Sequence, residues 1–333
     1  MNTIYSFTSC IGQTIFRYLE LKIALGRKYS VEYKILKNLD LYLSMRQCDL
    51  TAESFVQWCH VHEHLTSGVK RNWMRVTRNL CLYRRRNEPS CFVPDILQFP
   101  LPHQSIRPYI FTEDEIIRVL HATKNLNPGT ESPIRQENFK LAFILLYTAG
   151  LRRGELIRLT IGDYNPAEQT LLIRESKFHK SRLLPLSDDG WKAIETYLAT
   201  RRRCRLPSTS EFPLIWNCSS NNKRDAGFYS GPGIRSTFQF LFDSANIRTV
   251  NGCLPRLHDL RHTFAVQVLL KWYREGINVQ SKLPSLSIYM GHVSIVSTQY
   301  YLRFIEDVVN SASVRFEKNY GALVTQISKR GDK

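Results

Sequence analysis

The chain has 333 residues, enough for two domains of ordinary size, and its 43% hydrophobic and 23% charged residues exclude both a disordered polymer and a membrane-embedded bundle. No apolar run reaches the ~18 residues that a bilayer span needs, and the first ten residues lack the basic-then-apolar order of a secretion signal, so the chain is expected in the cytoplasm. A net charge of +17 favours a polyanionic partner, either nucleic acid or an anionic membrane surface, and is silent about chemistry.

Apolar residues recur at three- and four-residue steps over Ile15 to Leu25 and Tyr33 to Leu43, which predicts helices separated near Gly26. Lys70 to Arg86 reads as a helix with one apolar side (Trp73, Met74, Leu80, Leu82, Tyr83) and one basic side. Its cations, Lys70, Arg71, Arg75, Arg78 and Arg85 among them, suit either a phosphate-binding face or a plain solvated one. Pro89, Pro94, Pro100, Pro102 and Pro108 then interrupt any long helix, giving an expected division into a helical domain at 1–90, a linker at 91–109 and a second domain at 110–325. The second domain opens on Thr112 and Glu115, spaced as a capping box ahead of Ile116, Ile117, Val119 and Leu120.

Next come an apolar helix at Leu141 to Tyr147 and a short helix restarting near Gly154, with Arg152 at the turn. Gln169 to Arg174 and Arg182 to Leu186 read as two short strands joined by a polar hairpin. Further helices are predicted at Gly190 to Thr200, Phe238 to Ser244, Arg256 to Trp272, Leu286 to Met290 and Ser297 to Phe316. The fold class is therefore mainly α with a small antiparallel β element. Eight scattered cysteines form no Cys-x-x-Cys pair and read as reduced, packed thiols.

His258 and Arg261 stand three apart on a predicted helix and share a face. Gly291 permits a sharp helix exit that leaves His292 facing either a cleft or the protein interior. Tyr300 and Tyr301 follow, and neighbours on a helix point roughly 100° apart, so one of the two at most faces such a cleft.

Taken together, Ala149-Gly150-Leu151-Arg152-Arg153-Gly154-Glu155-Leu156, His258-Asp259-Leu260-Arg261-His262, and Gly291-His292 with Tyr301 resemble, in order and spacing, the tyrosine recombinase (phage integrase) family. The resemblance spans about Thr112 to Phe316, with the first hundred residues similar only in their helical, basic style. It implies a helical, SAM-like core DNA-binding domain before an α-rich catalytic domain. It also implies a catalytic set of Arg152, Lys177, His258, Arg261, His292 and Tyr301, with Glu155 holding Arg152. Counting back from Arg182-Leu183-Leu184-Pro185-Leu186 places Lys177 on the family's lysine, with Lys180 as the other candidate, although the hairpin lacks the glycines common there. Tyr301 is preferred to Tyr300 for its nine-residue offset from His292.

The implied chemistry suits these residue types. A phosphodiester under attack gathers charge on its equatorial oxygens, and the planar forks of Arg152 and Arg261 can grip two of them. Such donors are often worth ~3 to 4 kcal/mol each in the transition state. Tyrosine, with an ordinary pKa of about 10, needs cations nearby; His258 would accept the phenolic proton or bond the phosphate, His292 would donate to the same phosphate, and Lys177 would protonate the leaving 5′-oxygen. A covalent phosphotyrosine conserves the broken bond's energy, so no ATP is expected, and the resemblance implies no metal. The expected partners are double-stranded DNA, clamped with the help of the Lys70 to Arg86 helix, and further copies of the chain, two per site and four in synapsis, with accessory recombinases or directionality factors as candidate further partners and no membrane. An apolar stripe of Ile305, Val308, Val309 and Phe316 would be buried in its own domain or docked on a neighbouring subunit. The alternatives are DNA relaxation in the manner of a type IB topoisomerase, and a DNA-binding accessory protein without catalysis.

Overall fold

The computed structural model describes residues 6–101, 107–129, 132–174, 181–218 and 227–304. The chain divides between Arg107 and Pro108 into two compact units.

In the first unit, α1 (Gly12–Ala24), α2 (Ser30–Arg46), α3 (Ala52–Val61) and α4 (Ser67–Arg84) pack around Ile15, Leu19, Leu36, Leu39, Leu43, Phe55, Trp58, Val76 and Leu80, all essentially removed from water. Thr51 starts α3 through a capping box with Ser54. On α4 the buried side chains Val76, Thr77, Leu80 and Cys81 form a single stripe, which turns the arginine-rich remainder outward. Arg75 is exposed and Arg71 donates to the Pro100 carbonyl at 2.5 Å. Arg84 is committed to Asp49 at 2.6 Å and Glu88 at 2.7 Å, and so holds the unit together. Within the segment expected as a linker, Phe92 and Val93 pack on this core and Phe99 is buried.

The second unit begins as the capping box predicts. Thr112 Oγ1 accepts from the Glu115 backbone N–H at 3.3 Å, and a Glu115 carboxylate oxygen accepts from the Thr112 N–H at 2.9 Å, starting α5 (Glu113–Ala122). Then follow α6 (Arg135–Thr148), α7 (Arg153–Arg158), β1 (Tyr164–Asn165), β2 (Thr170–Ile173), β3 (Arg182–Pro185), α8 (Asp188–Arg203), α9 (Gly231–Ser244), α10 (Asp259–Arg274), α11 (Val279–Met290) and α12 (Val296–Gln299). The strands form one antiparallel sheet in the order β1-β2-β3, with Leu171 opposite Leu184 and Ile173 opposite Arg182. That register puts Leu171, Ile173 and Leu184 in the core and fixes Arg182 at the end of the ladder. α6 carries Phe139, Leu141, Ala142, Phe143, Leu145 and Leu146 into the interior on several sides, so it is the buried central helix of this unit.

Two expectations need correction. Of the helix expected over Ser297 to Phe316, the described residues show α12, a turn at Tyr300 and Tyr301, and helical backbone again at 302–304; the rest of it, with the proposed docking stripe from Ile305, lies outside the described residues, as do Lys177 and Lys180. The helix expected from Leu286 starts at Val279, where the Asn278 side chain accepts from the Ser281 N–H at 3.3 Å, and it accommodates Pro284. β1, two residues long, carries no periodicity and was not predicted.

Phe238 is fully buried against Phe139, Phe143 and Phe242, with ring centroids 5.7 to 6.4 Å apart. Phe238→Ala should cost ~3 to 5 kcal/mol in urea unfolding; a cost below ~1 kcal/mol would mean the α6–α9 seam is not a packed core.

Candidate active site

Gly150 and Gly291 shape the site. Both have positive φ, +58° and +65°, and both ends of chain they create point carbonyls inward. A Cβ on Gly291 would lie 2.8 Å from Arg182 Nη1, and one on Gly150 would collide with the Phe264 ring. Only glycine allows the backbone both its conformation and this close approach.

Three arginines converge on the end of α11. Arg182 Nε donates to the Tyr289 carbonyl at 2.8 Å, Arg261 Nη2 to Met290 at 2.5 Å, and Arg152 Nη2 to Gly291 at 2.7 Å. Arg261 Nη1 also donates to the Gly150 carbonyl at 2.5 Å, tying the α6–α7 turn to the same point. The last carbonyls of a helix lack intrahelical partners and carry the negative end of its dipole, so they are natural acceptors for cations.

Glu155 sits between two of the three. Its carboxylate accepts from Arg152 Nη1 at 2.7 Å, from the Arg152 N–H at 3.0 Å, and from Arg182 Nη1 and Nη2 at 3.1 and 3.0 Å. Burial alone would raise its pKa; the Arg182 and Arg152 hydrogen bonds outweigh that and hold it down at about 2. Three guanidinium charges against one carboxylate leave two positive charges beside the cleft.

Around this cluster stand the histidines and the tyrosine. His258 precedes the first residue of α10, and His262 lies one turn further on the same face, their rings edge-to-face at 4.8 Å. His262 Nδ1 is 2.9 Å from the Tyr301 hydroxyl. His292 Nδ1 bonds Thr298 Oγ1 at 2.8 Å, and its ring lies nearly parallel to that of Tyr301 at 6.3 Å. Tyr301 itself is buried, which pushes its pKa up to about 12 although Arg261 and Arg152 pull the other way. Burial and nearby cations push the imidazoles down: His258 and His292 to about 4, with Arg261 the leading cation for each, and His262 to about 3, with His258 foremost. Arg261, buried and beside Arg152, is lowered to about 9, which leaves it charged at neutral pH. All three imidazoles are therefore neutral at pH 7.

The structure brings Arg152, Glu155, His258, Arg261, His292 and Tyr301 into one site. Two residues that spacing did not single out belong with them, Arg182 and His262. For His262 a signal was present, since it follows His258 by four residues on a helix; for Arg182 there was none, because the partners it joins are distant in sequence. A cavity of about 520 Å³ borders His258 and is rimmed by Arg153, Arg235 and Arg256. Among the described residues no group of three or more His, Cys, Asp or Glu could hold a metal ion, and no helix is long and apolar enough to cross a membrane.

Residues 110–306 match the model of the phage integrase family, and the chain belongs to that family. Over 316 residues it is 28% identical to a putative integrase/recombinase, y4rB, of Sinorhizobium fredii, covering 94% of this chain and 98% of the relative. Over 196 residues it is 28% identical to tyrosine recombinase XerA of Pyrococcus horikoshii, covering 59% and 57%. Among solved structures, the Tn1549 transposon integrase in complex with transposon right end DNA shares the fold with a TM-score of 0.60 at 16% identity, covering 92% of this chain and 98% of that one. The XerH site-specific recombinase bound to its difH substrate shares it with a TM-score of 0.59 at 18% identity, covering 85% and 78%.

Glu155→Gln removes the one negative charge from between two arginines, and should cost ~3 kcal/mol or more in chemical unfolding. Unchanged stability would mean that solvent screens the cluster. Acid should weaken the fold in two stages. The three histidines have folded pKa values below 6.5, so the unfolded chain binds protons first and stability falls as pH drops from 6.5 towards about 4. Glu155 adds stability present above 4.5 and lost as pH falls towards about 2. Urea midpoints at pH 7, 5.5 and 4.5 check the first stage; a flat profile there would contradict the burial of the imidazoles.

Proposed function

We propose that this enzyme is a site-specific DNA recombinase that cleaves and rejoins strands through a 3′-phosphotyrosyl intermediate on Tyr301, in the service of a mobile element. The observation that carries the reading is the position of the Tyr301 hydroxyl in the same small site as Arg152 and Arg261, whose guanidinium groups are fixed by backbone carbonyls and, for Arg152, by the buried Glu155 carboxylate as well. Preorganised cations of this kind favour the charge that develops on phosphorus-bound oxygens and need no rearrangement when the reaction occurs.

In this reading the scissile phosphate binds against Arg152 and Arg261, with His258 and His292 able to hydrogen-bond its oxygens as neutral donors. Tyr301 Oη attacks phosphorus, and the deoxyribose 5′-oxygen leaves with a proton from Lys177. Attack by a second strand's 5′-hydroxyl reverses the step, so the reaction runs without ATP, and in this reading Arg152 and Arg261 meet the phosphate charge in place of a metal. Lys70, Arg71, Arg75 and Arg78 on α4 and Arg85 at its C-terminal cap, with Arg153, Arg235 and Arg256 beside the site, would neutralise flanking phosphates of double-stranded DNA. Synapsis would take two copies per site and four in all, in the cytoplasm. The transposon integrase whose fold this chain shares and the integrase/recombinase relative support the mobile-element role.

The test uses nicked suicide duplexes selected from a randomised pool by covalent capture on the unaltered protein in EDTA. The unaltered protein should give a denaturation-resistant adduct, Tyr301→Phe none, and Arg261→Ala ~100-fold less. Non-covalent binding by Tyr301→Phe should fall steeply with salt as counterions are released. Cleavage that depended on added magnesium would overturn the tyrosine mechanism.

A further inference from the structure

Cleavage of a phosphodiester by tyrosine requires that the phenolic proton go somewhere, and one imidazole lies within hydrogen-bond distance of Tyr301 Oη among the described residues. That imidazole is His262, with Nδ1 at 2.9 Å. We propose, resting on the recombinase reading above, that His262 is a further catalytic residue, whose Nδ1 takes the Tyr301 proton as Tyr301 Oη attacks phosphorus.

Three observations support it. A buried hydroxyl needs an acceptor, and Nδ1 is the acceptor seen for Tyr301, which is 3% exposed. The other two histidines stand differently: His292 Nδ1 is bonded to Thr298 Oγ1, and His258 meets the His262 ring edge-on at 4.8 Å. Finally, burial keeps the His262 ring neutral, with His258 and His292 beside it also uncharged and Arg256 and Arg261 the nearby cations, and so leaves a lone pair available. A phosphodiester anion in the site would offset those cations and make the imidazole a better base at the moment it is needed.

The step balances. The Tyr301 Oη–phosphorus bond forms, the phosphorus–O5′ bond breaks, the phenolic proton passes to Nδ1, and the leaving oxygen takes a proton from the separate general acid. In rejoining, the incoming 5′-hydroxyl gives its proton to the general acid left deprotonated by the first step and bonds phosphorus, the Tyr301 Oη–phosphorus bond breaks, and Nδ1 returns its proton to Tyr301.

Asparagine places an amide oxygen close to where Nδ1 stands, so His262→Asn can still accept the hydrogen bond but cannot carry the proton. On the captured suicide duplex, single-turnover adduct formation should drop ~100-fold or more in both His262→Asn and His262→Ala. Duplex binding, measured in parallel, should stay within about twofold, and added imidazole should restore adduct formation to His262→Ala but not to Tyr301→Phe. Adduct formation by His262→Asn within about threefold of the unaltered protein would overturn the proposal, leaving His262 a positioning group. Absence of any adduct with the unaltered protein would instead sink the recombinase reading on which it rests.

Discussion

Three consecutive carbonyls at the end of α11, those of Tyr289, Met290 and Gly291, each accept a hydrogen bond from a different arginine. Like charges brought this close repel one another, and what holds them is the exposed negative end of a helix together with the Glu155 carboxylate. The constraint depends on backbone geometry: Gly291 has to turn into the left-handed region for its carbonyl and that of Met290 to face inward. It also gathers remote parts of the second unit, because Arg152 comes from the start of α7, Arg182 from β3 and Arg261 from α10. The small sheet contributes by delivering Arg182, through the Ile173–Arg182 register, to the point where Glu155 needs a second partner.

The same cluster sets the character of every titratable group around it. Guanidinium groups stay charged when buried, whereas imidazoles beside them lose their protons, so the site combines fixed cations with neutral histidines. Such a division suits a reaction at a phosphate. The arginines supply charge, and the histidines remain free to give or take a proton. Burial keeps the Tyr301 phenol protonated against the pull of Arg261 and Arg152. In the proposed reaction, a phosphate entering the site would bring negative charge next to all of these groups together and so couple substrate binding to activation.

Much of this was legible in the sequence, and what was not has physical reasons. Thr112 and Glu115 announced α5 because a capping box is a local device complete within four residues. The spacing of Arg152, Glu155, His258, Arg261, His292 and Tyr301 pointed to the family because the motifs, though far apart, are each local. Arg182 was hidden, since its function lies in contacts to Glu155 and Tyr289 that only tertiary folding creates. His262 was passed over although it lies one turn from His258, since a histidine beside a motif does not reveal which ring nitrogen will meet which oxygen. α9 begins at Gly231-Pro232-Gly233, ahead of the predicted start at Phe238, because Ser230 caps it and proline is tolerated in the first turn. Arg84 looked like part of a basic face and proves to be an internal tie to Asp49.

The central claim is that the oxygen placed among these arginines is the one that attacks DNA. The most direct measurement is peptide mapping by mass spectrometry of the trapped protein–DNA adduct after nuclease and protease digestion. The account predicts a nucleotide remnant on Tyr301 and on no other residue. A remnant on Tyr300, or on any side chain outside the arginine cluster, would contradict it.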